Sequence, residues 1–349
     1  MMEYLPFFML PVTFGLMFLG VQVAFAMLLT ATMFGLITFG PAVAHQFVEK
    51  IDDLASNFVF AAIPLFVFMG AVLEKSGIAD RLFEAIHIWT RRLPGGLAIA
   101  TVLMCIVFAA SSGVIGATES VVGLLTIPIM LRYGYDKRLI SGVICAGGSL
   151  GTIIPPSVVV VVMGPLADVS VGDLMYGMVF PGLLMAGLYL VYILVLCIVK
   201  PEHGPRIPRE PGEPGFAEKL GITLRNLVPP LLMIVAVLGS ILGGLASPTE
   251  AAAIGCVCAV LLTMLYRRFT WAGLYDSLLK TVRVTAMIMA VLLGGTLFTG
   301  VFVGGGGISL ASTVIEQFQL GPWGLVFLLL LILFIAGFFL DWISIVLIF

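Results

Sequence analysis

The sequence is poor in charged residues, and this shortage limits the class of protein. Only 10% of the 349 residues are charged, against roughly a quarter in soluble globular domains. Hydrophobic residues make up 61%, and the mean hydropathy is +1.19. These values exclude a large soluble protein and predict a polytopic membrane protein. The net charge of −2 shows no basic excess, which argues against nucleic acid as a partner.

Two further signals are missing. The five cysteines lie within apolar runs and lack metal-ligand spacing, so we interpret them as packing residues and expect no disulfides. The first apolar stretch lacks a basic segment before it, so we expect a retained helix and not a cleaved signal peptide.

Apolar runs close to the length of a membrane span, about 20 residues, predict the transmembrane segments. They are residues 5–19, 21–39, 56–73, 139–163, 176–199, 227–242, 249–266 and 281–303. Residues 95–131 and 324–349 are interrupted by polar or small residues, and we interpret both as re-entrant hairpins. Residues 78–92 and 310–320 are amphipathic and are expected to lie in the membrane interface. Residues 200–214, rich in proline and charge, predict a linker.

The basic residues support this arrangement. With both hairpins re-entrant, sixteen of the seventeen Lys and Arg residues fall on one side of the membrane, and only Lys50 falls on the other. The positive-inside rule makes the basic side cytoplasmic. We therefore expect a periplasmic N-terminus.

Residues 147–157 read Gly-Gly-Ser-Leu-Gly-Thr-Ile-Ile-Pro-Pro-Ser. Three glycines and two adjacent prolines predict a break in a membrane helix. The freed backbone groups must be sheltered, and such broken helices hold ions and substrate in secondary transporters. A proline kink for packing is the alternative. Because hard cations prefer oxygen ligands, we expect exposed carbonyls and the hydroxyls of Ser149 and Thr152 to coordinate sodium here. The expected ion- or substrate-binding residues are Gly147, Gly148, Ser149, Gly151, Thr152 and Pro155.

Further site residues are expected at the two hairpin interruptions. The first offers Ser111, Ser112, Gly113 and Thr118, unless these small residues only allow close helix contact. The neighbouring Glu119 either neutralises a cation or occupies a helix start, where negative charge is favoured. The second hairpin offers Asp341 and Ser344.

Two other patterns have simpler interpretations. Ser247, Pro248 and Glu250 are typical of a helix capping box. Gly147-x-Ser149-x-Gly151 matches the nucleophile elbow of serine hydrolases, but no strand is predicted before it, so an intramembrane hydrolase is a remote alternative.

The two halves match weakly at an offset of about 228 residues, which predicts inverted repeats. The first repeat is residues 1–199, with scaffold helices within 5–75, and the cytoplasmic linker is 200–225. The second repeat, 226–349, ends within its hairpin. By the repeat logic we expect on the order of 75–80 further residues after Phe349.

Several motifs resemble the large membrane subunit of tripartite ATP-independent periplasmic (TRAP) transporters. They are Ala62-Ile-Pro-Leu-Phe, Ser76-Gly-Ile-Ala-Asp-Arg-Leu, Leu93-Pro-Gly-Gly-Leu-Ala, the segment 147–157, and Ser247-Pro-Thr-Glu-Ala-Ala-Ala. One departure is the absence of the family's two later serines after Ser112-Gly113. The resemblance implies an elevator-type transporter in the bacterial inner membrane that imports carboxylate-bearing solutes with sodium.

The resemblance also implies two partners, a periplasmic solute-binding protein and a small four-helix membrane subunit. Sodium is the coupling ion, and no cofactor is expected. A sodium symporter of similar architecture that needs no binding protein is the alternative within transport.

Overall fold

The computed structural model describes residues 5–112, 115–207, 215–317, 321–338, 340, 342 and 345–346, without the side chains of 112, 115–117 and 314–317. Every regular element in these ranges is helical, which confirms the all-α class. The α-helices are α1 Leu5–Phe18, α2 Val23–Phe39, α3 Val43–Ser56, α4 Ala62–Lys75, α5 Ile78–Thr90, α6 Gly96–Ser112, α7 Ile115–Arg132, α8 Lys137–Ile153, α9 Val158–Ala167, α10 Val171–Val199, α11 Phe216–Leu242, α12 Pro248–Leu265, α13 Trp271–Gly304, α14 Gly307–Gln317 and α15 Pro322–Ala336.

Within the described residues, six helical stretches are long and apolar enough to cross a membrane, and the bent pair α8–α9 adds a seventh. The six are Val23–Ser56, Phe58–Lys75, Val171–Val199, Phe216–Leu242, Pro248–Leu265 and Trp271–Gly304. A polytopic membrane protein is therefore the right class.

Several helices extend beyond the apolar runs that were predicted as membrane spans. α11 begins at Phe216 and not at residue 227, and α13 begins at Trp271 and not at residue 281. Charged residues such as Lys219 and Lys280 lie in the added turns. Hydropathy detects only the part of a helix that is apolar, and a helix can continue through polar residues outside it.

The amphipathic helix α3 was missed, since no predicted segment covers residues 43–55. The predicted amphipathic segment 78–92 forms α5, whose apolar face is buried through Ile78, Leu82 and Ile86. The indole N–H of Trp89 donates to Thr223 Oγ1 of α11 over 2.8 Å, so α5 is anchored to a neighbouring helix.

The chain divides into two compact units. The first unit, Met1–Asn57 with Arg283–Phe349, contains the buried Thr13, whose hydroxyl donates to the Met9 carbonyl over 2.9 Å and lies 3.0 Å from Thr30 Oγ1. The second unit, Phe58–Val282, contains α4 to α12. In it Lys280 forms an ion pair with Glu74. This second unit contains all the described residues of the candidate site.

Candidate functional site

The first predicted hairpin consists of α6 and α7, which contact each other and both contact α8. Ser111, at the end of α6, is buried, and its hydroxyl donates to the Phe108 carbonyl over 2.8 Å. Thr118, in the first turns of α7, is fully buried. Gly113 and the side chain of Ser112 lie outside the described part. Buried hydroxyls therefore flank the connection between α6 and α7.

The membrane helix at 139–163 is broken, but not where the glycines lie. α8 continues through Gly147, Gly148 and Gly151 to Ile153, and α9 begins at Val158 with a bend of 44°. The expectation that the glycines help to open the helix was wrong. A helical glycine costs only about 1 kcal/mol, whereas proline removes a donor and clashes with the preceding turn.

Pro155 and Pro156 have no backbone N–H, so the carbonyls of Gly151 and Thr152 lose their helical donors. Ser157 compensates for one of these losses, because its hydroxyl donates to the Thr152 carbonyl over 2.7 Å. The hydroxyl oxygen of Ser157 also accepts the Val159 N–H over 3.2 Å and thereby caps α9. The Gly151 carbonyl is thus left at the C-terminal end of a half-helix, where negative potential favours a cation.

Two glycines of α8 allow the hairpin to approach closely. A Cβ built at Gly147 would lie 2.6 Å from Sγ of Cys105 on α6. At Gly148 it would meet the Glu119 side chain of α7, including Oε1 at 2.7 Å. Glycine is therefore required for this packing, and it brings an acidic side chain against α8.

Glu119 is half-buried, and no hydrogen bond or ion pair of its carboxyl is found among the described residues. Glu119 also lies in the second turn of α7, beyond the helix start. The alternative that it merely complements the helix dipole is weakened, because this effect fades within the first turn.

Two hydroxyls lie within the last five residues of α8. Ser149 Oγ donates to the Ala146 carbonyl over 2.8 Å, and Thr152 Oγ1 donates to the Ser149 carbonyl over 2.9 Å. Both side chains are partly exposed. A hydroxyl that donates its hydrogen keeps its lone pairs, so both oxygens can still bind a cation.

The hydrolase alternative finds no support in this geometry. Ser149 lies inside a helix, whereas a nucleophile elbow needs a strand-to-helix turn, and the described residues contain no strand. Ser149 donates to its own helix and not to a histidine.

Asp341 and Ser344 lie outside the described residues. The nearby α15, Pro322–Ala336, is apolar. At the start of α12, Ser247 and Glu250 form a capping box: the Glu250 N–H donates to Ser247 Oγ over 3.3 Å, and the Ser247 N–H donates to Glu250 Oε2 over 2.8 Å.

Comparison with known proteins agrees with a transporter. Residues 10–349 match the family described as "Tripartite ATP-independent periplasmic transporter, DctM component". The C4-dicarboxylate TRAP transporter large permease protein DctM of Pseudomonas aeruginosa is 32% identical over 314 residues, which cover 90% of this chain and 72% of the relative. The DctM of Vibrio cholerae is 35% identical over 243 residues, covering 70% of this chain and 52% of that protein.

A third relative is named for a different substrate. The sialic acid TRAP transporter large permease protein SiaM of Vibrio cholerae is 29% identical over 288 residues, covering 81% of this chain and 65% of the relative. The chain thus spans about half to three quarters of the length of these relatives. The match over nearly the whole chain shows that it belongs to the TRAP transporter family, as a DctM component.

Proposed function

We propose that this protein is the large membrane subunit of a sodium-coupled importer of a small organic anion. The supporting observation is the packing of the α6–α7 hairpin against the broken helix through Gly147 and Gly148. This packing places the Glu119 carboxyl against the helix whose break frees backbone carbonyls. Such a combination suits a cation better than it suits a structural kink, because a kink needs no adjacent acid.

The proposed sodium ligands are oxygen atoms near the end of α8, namely the Gly151 carbonyl and the hydroxyls of Ser149 and Thr152. Glu119 would supply the compensating negative charge. The hairpin residues Ser111, Ser112, Gly113 and Thr118 would complete this site, and Asp341 and Ser344 would belong to a second one. Sodium favours such hard oxygen donors.

The helix on the other side of the break, α9, presents the opposite electrostatic potential. The N-terminus of α9, capped by Ser157, presents backbone donors and positive potential, which suit a carboxylate. Cation and anion sites on the two sides of one break would allow the bound ion to raise the affinity for substrate. This coupling is the physical basis of the proposed symport.

The family supports an assembly with a periplasmic solute-binding protein and a small four-helix membrane subunit in the bacterial inner membrane. The relatives are named for the transport of C4-dicarboxylates, sialic acid, isethionate and ectoines. We propose a carboxylate-bearing solute, a periplasmic N-terminus, and an elevator movement in which the hairpins and the broken helix carry the site.

The test is uptake into proteoliposomes that contain the intact permease and its small subunit, with the binding protein outside. Labelled C4-dicarboxylate and sialic acid serve as probes. Uptake should require an inward sodium gradient and the binding protein. Full-rate uptake without sodium would overturn the coupling, and uptake without the binding protein would favour the independent symporter.

A matched pair of variants tests the site itself. Ser149→Ala removes a proposed ligand, and Ser141→Ala removes a hydroxyl that makes the same type of bond, to the Arg138 carbonyl over 3.1 Å, near the other end of α8. The sodium concentration for half-maximal uptake should rise about tenfold in the first, equivalent to about 1.4 kcal/mol, and stay unchanged in the second. Equal values in both variants would exclude Ser149 as a ligand.

A further inference from the structure

A cleft of about 430 Å³ lies between α8 and α10, on a face of α8 that does not include Gly148. Its apolar lining from α8 runs from Leu139 to Ala146, a length of about 10 Å at 1.5 Å per residue. Val102 of α6 and Ile193 of α10 add apolar walls. The cleft is therefore an elongated and largely apolar groove.

One end of the groove is basic. Arg138 and His203 line this end. The chain segments around these two residues, 136–138 and 200–206, hold four Lys or Arg residues against two acidic residues. One of the acids, Asp136, is engaged by the N–H groups of Arg138 and Leu139 over 2.7 and 3.4 Å. The other acid, Glu202, has an 82% exposed side chain, and its Oε1 lies 3.9 Å from Nδ1 of His203. The net charge at this end is thus positive.

The basic end is fixed in place by backbone hydrogen bonds. The Asp136 N–H donates to the His203 carbonyl over 3.1 Å, and the Gly95 N–H donates to the Gly204 carbonyl over 3.0 Å. These bonds tie the starts of α6 and α8 to the turn after α10. The groove and its charged end are therefore preformed.

We propose that this cleft binds one acidic phospholipid. An acyl chain lies along the apolar groove, and the headgroup phosphate contacts Arg138 and His203. Basic pockets between membrane helices are suited to acidic headgroups. Tyr189 and Tyr192 of α10 line the same cleft, and tyrosine is the type of residue that favours the boundary between headgroup and acyl chain.

The test counts lipids bound to the delipidated intact permease in mild detergent by native mass spectrometry. Phosphatidylglycerol and phosphatidylcholine are titrated separately. One phosphatidylglycerol should bind at least about tenfold more tightly than phosphatidylcholine. Equal binding of the two lipids would overturn the proposal, and so would complete displacement by inorganic phosphate, because the groove would then contribute nothing.

Two glycines provide matched variants for the groove. A Cβ at Gly142, in the cleft, meets no atom within 4 Å, and the same is true at Gly187 of α10, outside the lining. Gly142→Leu should therefore fill the groove without displacing the protein and should lower the lipid affinity about tenfold or more. Gly187→Leu should retain it, and equal binding by the two variants would contradict the proposed groove.

Arg138→Gln tests the headgroup contact independently of the groove. It should reduce the preference for phosphatidylglycerol over phosphatidylcholine to about threefold or less, while leaving phosphatidylcholine binding unchanged. An unaltered preference would contradict the proposed contact between Arg138 and the headgroup phosphate. This variant also keeps the proposal testable should Gly142→Leu fail to fold.

Discussion

The contact between Gly148 and Glu119 allows the candidate site to be tested by a single added methyl group. In Gly148→Ala the new Cβ would occupy the space of the Glu119 side chain, 2.7 Å from Oε1, so Glu119 must rotate away from α8. Overpacking of this kind costs about 1–3 kcal/mol, while Gly→Ala inside a helix gains about 1 kcal/mol. The expected net cost is up to about 2 kcal/mol.

If sodium binding needs Glu119 against α8, the steric part of this cost is incurred on sodium binding, whereas the helix-propensity gain is present with and without sodium and cancels. A steric cost of about 2 kcal/mol, the middle of its range, corresponds to roughly 30-fold in affinity. The assay is the sodium concentration for half-maximal uptake in proteoliposomes. Gly187→Ala is the control, because its Cβ meets no atom within 4 Å, and it should leave sodium dependence unchanged.

A double variant separates the steric contact from the chemistry. Glu119→Ala removes the obstructing side chain, so adding Gly148→Ala in that background should no longer lower the thermal stability. The two changes should therefore be non-additive, as expected for residues in contact. Additive stability effects, or a Gly148→Ala permease with the sodium dependence of Gly187→Ala, would refute the proposed packing and its role.

Three further predictions concern the break and the start of α8. Replacing Pro155 and Pro156 by Ala restores two backbone donors and should abolish sodium-driven uptake, which the proteoliposome assay would show; retained uptake would mean that the break is not needed. Ser157→Ala removes both the cap of α9 and the partner of the Thr152 carbonyl and should cost about 1–2 kcal/mol, seen as a lower midpoint of thermal unfolding. The Arg138 N–H lowers the pKa of the Asp136 carboxyl below its ordinary value, so the stability that this carboxylate contributes is present above the ordinary pKa and is lost as the pH falls through the lowered one. Asp136→Asn should lose that pH dependence in thermal unfolding, and an unchanged acid profile would contradict the cap.

The helical class and most of the spans could be predicted from the sequence because apolar length is a local property. The run at 249–266 appears as α12, Pro248–Leu265, and the capping pattern Ser247-Pro-Thr-Glu250 appears as a capping box. In both cases the signal lies within one or two turns of the residues concerned.

What the sequence could not supply was the partner of each small residue. Gly147 and Gly148 were interpreted as helix breakers, since nothing local distinguishes a glycine that loosens a helix from one that admits a neighbour. Their packing against Cys105 and Glu119 depends on tertiary contacts between helices separated by about 30–40 residues. The role of Glu119 was left open for the same reason.

The glycines and the prolines of segment 147–157 therefore have different structural roles. The prolines alone suffice to end α8, because each removes a backbone donor, and among the described residues only the Thr152 carbonyl regains one, from the Ser157 hydroxyl. Glycine is then needed only where another side chain must reach the helix, and the acid at Gly148 is such a side chain. A kink that served only packing would need the prolines but not the glycine–acid contact. The glycine–acid contact on α8, next to the proline break, is the physical reason for the proposal that the break binds an ion.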